Sequence, residues 1–248
     1  MKNIFRKIVK KLYGPSKFIF PAEASQEEIK SIELCKKFSM TSYERMYATL
    51  SATKYVIHNR IQGDFVECGV WRGGNSILMA MTLSQMNIAD RKFFLFDTFE
   101  GMTDPSKHDK DNSGLSASSL LEKTDKRNGE NIWCIASIED VKNNFSHSNY
   151  PEALVQLVKG DVGTTLKNEE NLPKEIAVLR LDTDWYESTK IELEVLFPRL
   201  VKGGVCLIDD YGHWQGARKA VDEYLQENEI YPLMHVTDYT GRVFIKDG

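Results

Sequence analysis

The chain has 248 residues, 42% of them hydrophobic and 27% charged, ordinary values for a folded protein of one large domain or two small ones. Lys and Arg total 32 against 36 Asp and Glu, a net charge of −4, which argues against a dedicated nucleic-acid binder because counterion release needs a basic face. No apolar run approaches the roughly 18 residues of a membrane span, and the four cysteines (Cys35, Cys68, Cys134, Cys206) form no CxxC pair, which fits a reduced, cytoplasmic setting.

In chain order, residues 1–17 come first, with six cations, no acidic residue, and Phe5, Ile8, Val9 and Leu12 at helical spacing. Such a segment suits peripheral contact with the anionic inner face of a membrane, and equally suits a solvated end or a helix packed on a partner. Gly14, Pro15 and Pro21 break the chain before a helical stretch over 25–59, which is also a candidate homo-oligomer element. Five short, nearly continuous apolar runs follow at 65–68, 93–96, 154–158, 176–181 and 205–208. Helical patterns lie between or after them at 76–86, 138–145, 187–200 and 215–228. Alternation of this kind predicts an α/β fold with a parallel sheet covered on both faces. The tail, 231–236 and 242–245 around a polar turn, predicts a closing antiparallel hairpin. Residues 103–131 are polar and break the rhythm, as a lid, a binding loop or disorder would. The organisation expected is a helical N-terminal extension, 1–60, and one α/β domain, 61–248, carrying that insertion.

Chemistry concentrates at the ends of the predicted strands. After the first, Glu67-Cys68-Gly69-Val70-Trp71-Arg72-Gly73-Gly74-Asn75-Ser76 is a glycine turn into a helix start, where a ligand can approach backbone amides. The glycines do not follow GxGxxG, and Glu67 would repel a pyrophosphate while suiting an ammonium group. A cofactor carrying an amino-acid moiety fits better than a dinucleotide. Asp97 closes the second strand where doubly wound folds hold ribose hydroxyls, and Phe99 offers a ring to a nucleobase. Asp161, after the third strand, suits an exocyclic amine such as that of adenine, or a turn cap. Asp182 ends the fourth strand and Asp209-Asp210 the fifth. Carboxylates meeting there repel unless a hard cation such as Mg²⁺ neutralises them, although aspartates capping helices after strands read the same way. His213 follows as a candidate general base or a packing residue, and Trp185, Tyr186, Tyr211 and Trp214 cluster nearby.

Taken together, residues 64–74, 96–102, 181–189 and 208–211 resemble the macrocin O-methyltransferase family, which acts on deoxysugars of macrolides and related sugars. The resemblance runs from about Thr41 to the C-terminus. It implies a Rossmann-like class I S-adenosylmethionine-dependent methyltransferase, with a seven-stranded, mostly parallel sheet whose last strand is antiparallel. It implies a mobile lid at 103–131 and Mg²⁺ on Asp182, Asp209 and Asp210. Glu67, Gly69 and the turn Trp71, Arg72, Gly73, Gly74 to Ser76 would then hold the methionine part of the cofactor, Asp97 the ribose, and Asp161 would lie near adenine. The more distant catechol O-methyltransferases carry a lysine base three residues after the first metal aspartate. Trp185 stands there in this chain, which leaves Asp182 or His213 to accept the proton.

The expected activity is therefore Mg²⁺-dependent O-methylation of a hydroxyl on a sugar, a glycosylated metabolite or a polysaccharide precursor. Two other readings compete. Asp182-Thr183-Asp184 is a DxD of the kind used by metal-dependent sugar-nucleotide transferases, and a methyltransferase-like chain without activity could serve as a binding module.

Overall fold

The computed structural model describes residues 18–126 and 131–247. The basic segment 1–17, with its expected membrane contact, lies outside the described residues. The helical stretch predicted over 25–59 is two helices. Ser25 opens α1 (Gln26–Cys35) with a capping box: its hydroxyl accepts from the Glu28 N–H at 3.2 Å, and the Glu28 carboxylate accepts from the Ser25 N–H at 2.7 Å. After a 3-10 turn, Lys36–Phe38, the backbone becomes extended at Ser39, whose hydroxyl accepts from the Thr41 N–H at 3.0 Å. Ser42 then caps α2 (Tyr43–His58). Hydroxyls at 39 and 42 compete for backbone N–H groups, a local interruption that apolar spacing does not register.

The remaining elements are β1 (Asp64–Cys68), α3 (Gly74–Gln85), β2 (Phe93–Asp97), α4 (Ala117–Lys123), α5 (Ile138–Phe145), β3 (Val155–Lys159), α6 (Val162–Thr165), β4 (Ile176–Leu181), α7 (Tyr186–Leu196), β5 (Leu200–Ile208), α8 (Gln215–Glu227), β6 (His235–Val236) and β7 (Arg242–Ile245). They build a seven-stranded sheet in the order β3-β2-β1-β4-β5-β7-β6. β1 to β5 run parallel, and β7 is antiparallel to both β5 and β6. The predicted tail strand 231–236 shrinks to its last two residues. Pro232 lacks the N–H a ladder needs, and Leu233 projects into solvent at 93% exposure.

Successive strand residues alternate between two apolar layers. Phe65, Phe93, Leu95, Val178 and Leu207 pack with Ile32, Met46, Leu50, Val56 and Ile77, so α1, α2 and α3 share a core with one sheet face. Val66, Phe94, Phe96, Leu179 and Cys206 pack with Leu193, Val221 and Leu225 on the other face, under α7 and α8. Each fully buried large apolar side chain contributes roughly 1.5–3 kcal/mol, so both layers are substantial. By the same alternation Glu67 and Arg180, register partners on β1 and β4, lie on the α2 side.

The insertion is more ordered than its composition suggests. Lys110 bridges to Ser116, Asp111 bridges to Trp214, and α4 follows. Ala117 and Leu121 pack against Trp185, Trp214 and Ala217. Asp109, 1% exposed, accepts hydrogen bonds from the N–H groups of Tyr186 at 2.7 Å and Ser106 at 2.6 Å. The insertion thus caps α7, whose own N-cap residue, Trp185, supplies no side-chain cap.

Candidate active site

The carboxyl ends of β1 to β5 open into a crevice of about 420 Å³, where the strand order reverses between β1 and β4. At its floor β1 turns at Gly69 with φ +81°, and a Cβ there would lie 1.9 Å from the Asp182 carbonyl oxygen. Only glycine lets the ends of β1 and β4 approach this closely. Asp97 organises the turn: its carboxylate accepts from the N–H groups of Val70 at 2.7 Å, Trp71 at 2.9 Å and Phe99 at 2.7 Å. Burial raises its pKa, and those hydrogen bonds oppose the rise.

The residues expected around the cofactor divide into two groups. Glu67, Gly69, Trp71, Gly74, Asp97 and Asp161 line the crevice. Arg72 instead pairs with Asp140 on α5 at 2.8 Å and lies over the Phe38 ring. Ser76 is buried and donates to the Glu67 carboxylate. Phe99 is 5% exposed within the core cluster, so its ring is not offered to a nucleobase; the left-handed backbone at φ +52° turns it inward. Gly73, at φ +90°, is the N-cap of α3 and shapes the turn from behind.

The acidic residues also sort differently from the expected trio. Asp182, Asp184 and Asp210 bring carboxylate oxygens within 4.8 Å of one another. Asp209 does not join them, because its two oxygens are taken by the guanidinium groups of Arg45 and Arg180. Asp184 stands at φ +70°, a backbone region costly for a residue with a Cβ and one that concentrates at functional sites. Burial and the neighbouring carboxylates push the Asp184 carboxyl up to about 7 and the Asp210 carboxyl well above its usual range. Asp210 Oδ2 is buried with no hydrogen-bond partner.

His213 also lines the crevice, with Nδ1 3.2 Å from the Tyr239 hydroxyl and its ring edge-on to Trp214. Burial lowers its pKa, favouring neutral imidazole. Wall residues that sequence did not single out include Met40 and Thr41, delivered by the break between α1 and α2, Arg45 in the first turn of α2, and Cys134 beyond α4. Arg180 was missed too, although an arginine within the apolar run Ile176-Ala-Val-Leu-Arg-Leu is itself a signal that a buried carboxylate faces it.

Seven carboxylates line this crevice against a single arginine, Arg45, which is ion-paired to Asp209 and Asp238. The strand order and this acidic, glycine-floored crevice are those expected of a class I S-adenosylmethionine-dependent O-methyltransferase. The sequence profile of the macrocin-O-methyltransferase (TylF) family matches residues 32–246, and the chain belongs to that family. It is 31% identical over 203 residues to the demethyldecarbamoylnovobiocin O-methyltransferase of Streptomyces niveus, covering 82% of this chain and 73% of that one. It is 32% identical over 204 residues to the 8-demethyl-8-(2,3-dimethoxy-alpha-L-rhamnosyl)-tetracenomycin-C 4'-O-methyltransferase of Streptomyces olivaceus, with the same coverage. Among solved structures, the O-methyltransferase NovP superposes with a TM-score of 0.73 at 30% identity, over 85% of this chain and 83% of NovP. The calicheamicin methyltransferase CalS11, at 18% identity and a TM-score of 0.61, shares the fold. The DxD transferase and inactive-module readings give way to this assignment. Among the described residues no helix is long and apolar enough to cross a membrane.

Proposed function

We propose that the chain transfers the methyl group of S-adenosylmethionine to a hydroxyl of a neutral sugar carried on a larger molecule, with a hard divalent cation such as Mg²⁺ in the acidic group. The observation that carries this reading is the charge of the crevice. Seven carboxylates stand against Arg45 in the wall and Arg180 behind it, and this excess of negative charge favours a sulfonium cofactor and a divalent cation. The relatives named above, one of which acts on a rhamnosyl group, support a glycoside.

The acidic residues fit a cation. Three carboxylates converge, one buried oxygen lacks a partner, and without a cation the group tends to hold protons instead. In this reading Asp182 and Asp210 hold the ion and Asp209 supports them from behind, in place of the expected Asp182, Asp209 and Asp210. When bound, the cation supplies a Lewis acid that eases loss of the acceptor hydroxyl proton, and the cofactor supplies an electrophilic methyl group. Glu67, Gly69 and Gly74 shape the methionine end, Asp97 fixes the loop beside the ribose, and Asp161 borders the adenine end. Asp184 accepts the proton: it lines the crevice beside Asp182 and Asp210 and has no ion pair among the described residues. His213 and Trp214 then form the acceptor wall rather than the base.

The test is calorimetric titration of S-adenosylhomocysteine and Mg²⁺ into wild type, Asp184→Asn and Asp210→Asn, with methyl transfer to rhamnosyl glycosides bearing free hydroxyls as a second readout. Asp184→Asn should keep both affinities and lose about 100-fold or more in turnover, while Asp210→Asn should lose Mg²⁺ affinity. Loss of Mg²⁺ affinity in Asp184→Asn would make Asp184 a ligand, and no binding of S-adenosylhomocysteine by wild type would end the reading. Contact of residues 1–17 with an anionic membrane is part of the same proposal, checked by cosedimentation with phosphatidylserine vesicles with and without that segment.

A further inference from the structure

Between the cofactor end and the acidic group lies one guanidinium that reaches both. Arg180, on the central strand β4, is 1% exposed. Its Nη1 donates to Glu67 Oε1 at 2.9 Å and to Asp182 Oδ2 at 2.5 Å. Its Nη2 donates to Asp209 Oδ1 and to the Thr41 hydroxyl at 3.2 Å. The contacts follow from the sheet: Arg180 is the register partner of Glu67 on β1, and on β5 the parallel ladder places Asp209 two residues beyond Leu207, the partner of Arg180. A single planar fork therefore holds one carboxylate of the methionine end, one of the cation end and the aspartate behind it.

We propose that Arg180 is the positioning residue of this enzyme, fixing Glu67 and Asp182 on one rigid fork so that the cofactor end and the cation end are built as a unit. The proposal rests on the reading of the crevice given above. Three carboxylates, two of them buried, would repel and rotate apart around one point charge, whereas a guanidinium offers separate donors in fixed directions. Lysine keeps the charge but presents it as one compact ammonium, which cannot reach Glu67, Asp182 and Asp209 together. Arg180→Lys thus separates position from charge. Arg180→Met would mix the two, since removing a cation leaves the crevice more attractive to Mg²⁺.

The experiment is calorimetric titration of S-adenosylhomocysteine, in EDTA, and separately of Mg²⁺, into wild type and Arg180→Lys. Melting temperature is recorded throughout. Both affinities should fall about 10- to 100-fold, the loss typical when a residue orienting ligand groups is removed. Arg91→Lys is the control. Arg91 donates to the carbonyl oxygens of Gly63 and Ile61 at the opposite end of the strands, so its loss should lower the melting temperature and leave both affinities unchanged. If Arg180→Lys does not fold, Glu67→Ala replaces it: the cation group keeps its carboxylates, the fork loses its acceptor on β1, and Mg²⁺ affinity should still fall. Unchanged affinities in Arg180→Lys, a fall in only one of them, or unchanged Mg²⁺ affinity in Glu67→Ala overturn the proposal. Wild type that binds neither ligand refutes the crevice reading itself, a different outcome.

Discussion

Replacing Asp109 with alanine should both destabilise the fold and slow methyl transfer, although Asp109 lies in the insertion and bears no expected role in the chemistry. Its carboxylate, 1% exposed, accepts from the N–H groups of Tyr186 and Ser106. The first bond is the cap of α7, and loss of a cap costs about 1 kcal/mol. The second leaves the Ser106 N–H without its acceptor, at about 1–3 kcal/mol. Together they amount to about 3 kcal/mol, or about 6–12 °C in melting temperature for a chain of this size. Activity should fall further than stability alone requires, because the freed turn at Tyr186 follows directly on Asp184 and Trp185. Asp109→Asn, which keeps one good acceptor, should recover part of both losses. The assay pairs scanning calorimetry with kcat measured well below the melting transition. A melting temperature within about 2 °C of wild type would refute the capping argument, and an unaltered kcat would refute the link to the Asp182-Thr183-Asp184 loop.

Other outcomes follow from the same structure. Because burial raises the carboxyl groups of Asp184, to about 7, and of Asp210 above their unfolded values, the native state binds more protons between roughly pH 4 and 7. This group's contribution to stability therefore declines as pH rises through that window; in EDTA it favours a higher melting temperature at pH 6 than at pH 8, and saturating Mg²⁺ should stabilise most at pH 8. An equal Mg²⁺ effect at both values would count against a shared site. Gly69→Ala places a methyl against the Asp182 carbonyl in a left-handed conformation that alone costs about 1–2 kcal/mol, so S-adenosylhomocysteine binding should weaken together with melting temperature. Retained affinity would mean the ends of β1 and β4 can part without consequence. Of four free cysteines three are buried, and only Cys134 lines the crevice. A thiol reagent should label it first in the native protein, slowly because burial raises the thiol's pKa, and S-adenosylhomocysteine should slow labelling further. Labelling indifferent to that ligand would place the cofactor elsewhere.

The sheet was legible because its strands are covered on both faces and therefore read as apolar runs. β5 is the partial exception: its first half, through Lys202, Gly203 and Gly204, is too polar to resemble a buried strand, yet Leu200 pairs with Ile176. The break at Ser39 to Ser42 was hidden because it arises from hydroxyls competing for N–H groups, not from a change in hydrophobic period. The acidic residues were visible as residues but not as an arrangement. Asp184 joins the converging carboxylates and Asp209 does not, because two arginines, one in α2 and one inside β4, hold it, and spacing along the strands does not reveal them. Phe99 shows the converse: a ring two residues beyond a strand end reads as available until one left-handed residue turns it inward.

All four tryptophans gather about the crevice, Trp71 and Trp214 in its wall, and Trp133 and Trp185 in the small cluster beneath the insertion. Trp185 and Trp214 sit edge to face with ring centres 4.9 Å apart. The sheet core carries phenylalanine and no tryptophan. Ultraviolet emission from this protein is therefore a local signal, reporting the crevice and its cover and silent about the strands. Ligand entry can be followed without a label, and a melt watched through indole fluorescence should begin at a lower temperature than one watched through backbone circular dichroism, by the interval over which the cover loosens while the sheet still stands.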